Sequence, residues 1–406
     1  MRASESIPNY EPNVRQYANF AVRGIKKMCT QIGPRAAGSS KEREAQEMMA
    51  KELETCSDTV RIEEFKLAPA AFMFWVPVVI ILNVIAVALF FLGYSAVSAA
   101  LSVVCLSLAV LEFLLYKPAL DVIMPKKMSS NAVGIRKATG ETKRRIIFSG
   151  HIDSAMEWRF NNWGGPKMLI SLTASGFLAV IASCVIYFIA AFTKPEGTLR
   201  LVLGVLLLVF MAVSCICLLF NDWKKYVDGA NDNLTGSFTA AAVLKYLADN
   251  NIRFENTEVW AVTTGAEEAG LRGAKALCRA HLQEFKDTET VFMGLETLRD
   301  FEHMAIYSRD MTGTVKSDIR VCNLMKAAAQ NVGLDLPFES VFFGSSDAAA
   351  VSQAGIPAAT LASMDPAPAR YYHTRRDTAD NLDPKTIEAG LKVALETLFL
   401  YDEKGL

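Results

Sequence analysis

Two long stretches of the chain carry almost no polar residues, and they divide everything else. From Leu67 to Tyr116 the only charged residue is Glu112, and the run breaks at Gly93, Tyr94 and Ser95 into Phe72 to Leu92 and Ala96 to Tyr116. A second stretch gives Met168 to Phe192 and Leu201 to Phe220, separated by TKPEGTLR. Each piece is long enough to cross a hydrocarbon core of about 30 Å as a helix. None shows the amphipathic period of a helix buried in a soluble core. The pattern therefore predicts two transmembrane hairpins, at 72–116 (helices 72–92 and 96–116) and at 168–220 (helices 168–192 and 201–220).

The rest of the chain falls into three pieces, 1–71, 117–167 and 221–406. The first is polar and helix-rich, and it begins without a basic-plus-apolar signal sequence. The second holds the strand candidates NAVGIRKA and RRIIFSG. The third alternates: strand TEVWAVTT, helix RGAKALCRAHLQEF, strand ETVFMGLETL, helix SDIRVCNLMKAAAQNVG, and a last helix from about Pro384 to Glu403. Such alternation predicts an α/β fold, a three-layer sandwich around a mostly parallel or mixed central sheet. Each hairpin returns the chain to the side it left, so the three pieces can assemble into one domain.

Composition sharpens this picture. The 406 residues are 51% hydrophobic and 21% charged, with a mean hydropathy of +0.22, which excludes disorder and collagen. With 42 basic and 43 acidic residues, no nucleic-acid footprint is expected. The eight cysteines form no CxxC pair, and four (Cys105, Cys184, Cys215, Cys217) lie in the apolar runs. They read as reduced packing residues. Lys66, Lys117, Lys126, Lys127, Lys167, Lys224 and Lys225 flank the spans on the domain side, against Lys194 and Arg200 in the opposite loop. That bias predicts a cytoplasmic domain.

The chemistry sits in five short segments. IIFSGHIDS ends an apolar strand in His151 and Asp153, which alternation places on one side, so that the carboxylate can orient the imidazole or brace the site from beneath. DGANDNLTGS opens a helix near Asn233 and offers Asp228 and Asp232; taken alone it is also an ordinary helix cap with turn glycines. AVTTGAEEAGLRGA delivers Glu267 and Glu268 at a strand end, and consecutive side chains diverge, so one can hold a metal while the other reaches water. VFMGLETL is apolar except for Glu296, a costly carboxylate unless paired or coordinated. YYHTRRDTADNL places His373 in a loop ahead of Asp377. The chain has four histidines; His281 and His303 have no comparable context and read as structural. Two histidines with three carboxylates from strand ends form the donor set of a two-zinc hydrolase, each metal taking one His and one carboxylate with an Asp shared.

This ordered series resembles the co-catalytic zinc metallopeptidases, which include the secreted bacterial leucyl aminopeptidases, aminopeptidase Y, glutamate carboxypeptidase and glutaminyl cyclase. The likeness begins with IGPRAAGSSKEREAQEMMAKELE, runs through FGSSDAAAVSQAGIPAATL and ends in HTRRDT, covering nearly all of the chain outside the apolar runs. It implies a zinc exopeptidase-like fold and two zinc ions per chain. His151 and Glu296 would bind one, Glu268 and His373 the other, and Asp232 would bridge them. Glu267 would be the general base, and Asp153 the carboxylate behind His151. Glu296 stands where many members have Asp, and Ala348 follows Asp347 where members often carry His. The spans are absent from the familiar soluble members.

The expected function is a membrane-anchored zinc aminopeptidase that hydrolyses peptides, its partners being a peptide substrate and the lipid bilayer. The rivals are a carboxypeptidase, dipeptidase or glutaminyl cyclase on the same scaffold, and a metal-free binding protein that keeps only the fold. A transporter usually carries several intramembrane charges, and the spans hold one, Glu112 near the end of the second. Oligomeric state is not encoded in any of these patterns.

Overall fold

The structure is a computed structural model describing residues 2–341 and 343–406. It divides into two compact units, one formed by Met1–Pro69, Lys126–Ala155 and Tyr226–Leu406, the other by Ala70–Pro125 and Met156–Lys225.

In chain order, helices α1 (Tyr10–Gln31) and α2 (Ser40–Glu54) lead to strand β1 (Thr59–Leu67). Helices α3 (Ala71–Phe91) and α4 (Ser95–Leu108) follow, then β2 (Lys127–Arg136), β3 (Arg144–His151) and the short β4 (Met156–Trp158). Next come α5 (Arg159–Thr193), α6 (Gly197–Cys215), β5 (Asn221–Tyr226), α7 (Thr235–Asp249), β6 (Thr257–Thr264), α8 (Arg272–Asp287) and β7 (Glu289–Leu298). The chain ends with β8 (Met304–Arg309), α9 (Ile319–Asn331), β9 (Phe338–Ser340), α10 (Asp347–Gln353), β10 (Ala358–Ser363) and α11 (Pro384–Lys404).

The first unit is built on an eight-stranded mixed sheet in the order β1-β2-β6-β3-β7-β10-β8-β9. Its centre, β6-β3-β7-β10, is parallel, and β1, β2 and β8 join antiparallel. Parallel strands buried on both faces read as nearly continuous apolar runs, as IIF in β3 and VWAV in β6 do. Alternation assigns the faces. Ile146, Phe148, Val259, Ala261, Val291 and Met293 enter the main core with α1, α7 and α11, whereas Trp260 turns to the other face and packs on Phe285 of α8. Gly150 is needed where α7 begins, since a Cβ there would lie 2.3 Å from the Ser237 nitrogen. The fold is thus an α/β three-layer sandwich around a mixed sheet. The sequence pattern passed over β1, β8, β9 and β10 of this sheet.

The second unit holds four helices long and apolar enough to cross a membrane: 71–91, 95–114, 159–193 and 197–219. Its outer surface inverts the usual rule, with Leu92, Leu178, Phe192 and Leu201 more than half exposed. Polar side chains face inward instead: Tyr187 donates to Asn83 Oδ1 (3.2 Å), and Asn83 reaches Ser214 (3.5 Å). Interhelical hydrogen bonds of this kind hold apolar helices together where water supplies no driving force. The helix carrying the third apolar run begins at Arg159, ahead of that run, and kinks at Gly165, whose φ is +68° just before Pro166. The second run leaves regular α-helix at Leu108 and continues in wider turns from Ala109 to Leu114.

Candidate metal centre

The parallel order brings the carboxyl ends of β3, β6, β7 and β10 side by side, the edge where ligands collect in open α/β sheets. His151 is the last residue of β3, Glu267 and Glu268 follow β6, Glu296 lies near the end of β7, and His373 sits in the loop after β10. Asp232 arrives from the segment Ala230–Leu234 that opens α7.

These side chains converge. His151 Nε2 is 3.1 Å from Asp232 Oδ1 and 3.7 Å from Glu296 Oε1. His373 Nε2 is 2.9 Å from Asp232 Oδ2 and 3.2 Å from Glu268 Oε1. The two oxygens of Asp232 therefore face different histidines. Three groups are able to hold a metal ion, His151 with Asp232 and Glu296, Asp232 with Glu268 and His373, and His151 with Glu267 and Glu268, the donor atoms of each lying within 4.8 Å of one another. Glu267 Oε2 stands 3.9 Å from His151 Nε2. Asp228, the other acid of its loop, lies elsewhere: its backbone oxygen accepts from Arg35.

The donor set suits a divalent cation. Asp232 Oδ2 and Glu268 Oε1 are buried and accept no hydrogen bond from any described residue, although His373 Nε2 is close to both. Imidazole nitrogen and carboxylate oxygen both present lone pairs, so their approach calls for a proton or a cation between them. Electrostatics agree. Burial, helped by neighbouring Glu268, Asp347 and Glu296, pushes Glu267 well above the usual carboxylate range against the pull of His151. Burial likewise raises Glu296 to about 7. Burial would lower His373, but Glu268 and Asp232 outweigh it and lift the imidazole to about 10. Asp232 is held below its ordinary value by the two histidines despite its burial.

Asp153, expected either to orient the imidazole or to brace the site from beneath, makes its closer side-chain contacts in the second way. His151 Nδ1 meets the backbone oxygen of Asp153 at 3.1 Å, and the carboxylate is 3.5 Å away. That carboxylate instead accepts the amides of Glu267 (3.0 Å) and Glu268 (3.1 Å). Backbone donors attract it more closely because the strand end leaves them without a ladder partner.

Sequence reasoning missed the residues that brace the donors. Asp377 Oδ1 accepts the Asn231 amide (2.7 Å) and Oδ2 the Asp232 amide (3.1 Å). Asn233 accepts from Gly236 and Thr297 and donates to Leu295 O, tying the Asp232 loop to β7. Arg35 of the GPR segment is fully buried and donates to the carbonyls of Ile152, Asp228 and Gly229. Tyr372 packs its ring 4.1 Å from that of His373. Burial and the nearby Asp232 and Glu268 keep its phenol protonated. The available signal was weak: Asp377 and Arg35 lay within quoted motifs, but nothing local told what they hold.

Residues 220–398 match peptidase family M28. The matched stretch contains Asp232, Glu267, Glu268, Glu296 and His373, while His151 and Asp153 precede it. Among solved structures, the chain is similar to BSAP, a zinc aminopeptidase from Bacillus subtilis, at 15% identity and a TM-score of 0.56, covering 94% of each chain. It is similar also to the aminopeptidase from Aneurinibacillus sp. strain AM-1 (14%, TM-score 0.57, 96% of this chain and 95% of that one). A third is a glutaminyl cyclase from an Acidobacteriales bacterium (14%, TM-score 0.57, 96% of each). At these identities the likeness establishes the fold, a zinc exopeptidase architecture, and the family match over residues 220–398 supports a metallopeptidase hydrolase.

Proposed function

We propose that the chain is a membrane-anchored aminopeptidase that holds two zinc ions. The observation that carries this is the division of Asp232, one oxygen toward His151 and Glu296 and the other toward His373 and Glu268. His151 and Glu296 would hold one ion, Glu268 and His373 the other, with Asp232 between. Zinc, when bound, polarises a scissile carbonyl and lowers the pKa of water. Glu267 coordinates neither ion in this assignment. Its carboxylate takes the proton from the attacking water and returns it to the leaving amine. The Tyr372 phenol, kept protonated beside the carboxylates, would donate a hydrogen bond to a developing negative oxygen.

Hydrolysis of free and N-blocked peptides, with metal content measured on the same preparation, tests the reading. Cleavage of free peptides one residue at a time from the amino end, with about two zinc ions bound, is expected. Cleavage from the carboxyl end, or cyclisation of amino-terminal glutamine, would replace the aminopeptidase assignment. A metal-free protein would replace the enzyme.

The four apolar helices would anchor the domain, with the peptidase unit on the cytoplasmic side because of the basic residues flanking the spans. Alkaline carbonate should leave the protein in the membrane pellet. A protease site after Glu196 should be cut from outside intact cells and one after Leu406 should not; the opposite result reverses the orientation.

A further inference from the structure

The loop that carries Glu267 and Glu268 is held by side chains at its leading amides, while its carbonyls at Ala266 and Glu267 accept from the backbone of Arg272, Gly270 and Leu271. Four consecutive amides donate to side-chain oxygens: Gly265 to Asn131 Oδ1 (3.0 Å), Ala266 to Glu42 Oε1 (2.8 Å), and Glu267 and Glu268 to Asp153. The acceptors come from β2, from α2 and from the turn after β3. The critical residue is Ala266. Its φ is +53°, a left-handed conformation that a residue with a Cβ avoids unless it is imposed. That conformation turns the chain out of β6, so that Glu267 points toward His151 and Glu268 toward His373. The loop has no slack on this side: a Cβ on Gly265 would lie 2.5 Å from Ser129 Oγ and 2.9 Å from Glu42 Oε1.

Glu42 is an odd residue to bury. It is 1% exposed, and no lysine or arginine pairs with it among the described residues. Its spacing from Ser39 is that of a capping box, in which the glutamate would return to the cap residue's own amide. Ser39 Oγ does accept the Glu42 amide (3.2 Å), but the Ser39 amide goes to Ala36 O. The Glu42 carboxylate instead spans two segments, taking the Gly38 amide on one oxygen and the Ala266 amide on the other, each at 2.8 Å. A buried unpaired carboxylate is costly, and Ser39 alone suffices to cap α2. The cost is repaid where the second oxygen ends.

We infer that Glu42 is a positioning residue for the centre: by accepting the Ala266 amide it imposes the left-handed turn that separates the Glu267 and Glu268 side chains. The inference rests on the proposed roles of those two glutamates. It assigns a function to the SSKE segment at the start of α2, which touches neither metal donors nor substrate.

The test compares wild type with Glu42→Gln, Ala266→Gly and the double variant in the full-length protein. Glutamine keeps one acceptor oxygen and turns its amide donors toward an N–H, so one of the two bonds is lost. Hydrogen exchange of the peptide spanning 264–271, measured on metal-free protein, should accelerate in Glu42→Gln while the thermal midpoint and exchange elsewhere hold. Zinc affinity, by competition with a chelating dye, should fall about ten-fold or more, the scale of losing a group that orients ligands. Turnover should drop with KM little changed. Glycine at 266 adopts the left-handed turn freely, so the double variant should recover much of the affinity and turnover, which a general loss of stability would not allow. Faster exchange with unchanged zinc affinity overturns the inference, as does loss without rescue by Ala266→Gly. A wild-type chain that keeps a protected loop yet binds no zinc would sink the metallopeptidase reading, and the inference with it.

Discussion

The domain contains two buried clusters of histidine and carboxylate, and they are built on opposite principles. Around His281, Nε2 faces both oxygens of Glu63 (2.9 and 3.0 Å) and Nδ1 faces Glu284 (2.9 Å). Glu284 also pairs with Arg145, which pairs with Glu258, and Trp260 donates to Glu258. The His281 ring stacks on Phe285. Every carboxylate there has a directed donor, and Glu63 and Glu284 reach solvent. Around His151 and His373, by contrast, Asp232, Glu267, Glu268 and Glu296 gather with no lysine or arginine paired to them among the described residues. The directed donors at that centre are backbone amides, and they go to Asp153 and Asp377. Carboxylates each met by a directed donor read as a structural cluster; surplus negative charge on a braced backbone suits a cation. Sequence read His281 as structural and the other two as chemical because of their company, and the two surroundings differ in how their carboxylates are met.

The largest expected effects lie around His151 and His373. Glu267→Gln should keep zinc near the wild-type level, since the amide is nearly isosteric, while turnover falls roughly 10²-fold or more. Glu268→Ala should lower both zinc content and turnover, one group losing a donor. Measuring metal and hydrolysis on the same preparations separates the two glutamates, and a zinc-free Glu267→Gln protein would mean their roles are exchanged.

A smaller effect is expected one step behind the donors. Asp377→Asn turns an amide N–H₂ toward the Asn231 or Asp232 amide, so Asp232 loses part of its support. Zinc affinity should fall about ten-fold with the thermal midpoint of the metal-free protein little changed. Unaltered affinity would show that the Asp232 loop holds its shape without this brace.

The His281 cluster should respond in stability and not in chemistry. His281→Gln removes the cation between Glu63 and Glu284, costing about 1–3 kcal/mol in denaturant unfolding, with turnover per zinc-loaded molecule unchanged. A change in turnover would break the comparison.

The smallest effect is its pH dependence. Hydrogen bonding to Glu63, reinforced by Glu284, raises His281 above its ordinary value. The folded protein therefore binds this proton more tightly than the unfolded chain. That contribution is complete below the unfolded pKa of about 6.5 and is lost as pH rises through the higher folded value. In wild type the stability falls over that window, and the His281→Gln difference should shrink in step; a difference that grows with pH contradicts the assigned charge.

Much of the molecule was legible in local pattern. Unbroken apolar runs marked the helical unit because a span must be hydrophobic around its whole circumference. The runs IIF and VWAV marked central strands, and a carboxylate in an otherwise apolar strand, Glu296, marked the site because burying it alone is unfavourable. Asp347 shows where this logic ends: it is buried and bonded to Thr264 Oγ1, yet SSDAAA gave no hint of its surroundings.

Sequence by itself determined which residues were candidates for chemistry and in what order they come, since burial, period and residue type act over a few positions. Tertiary structure alone decided how they meet. The order β6-β3-β7-β10 places ends that are far apart in the chain at one edge, and Asp232 divides its oxygens between two histidines only there. The braces were equally invisible, for Glu42 and Ala266 are 224 positions apart. A hydrogen bond across that distance leaves no periodic trace, because its energy depends on the packing of α2 against the sheet and not on any residue adjacent in the chain.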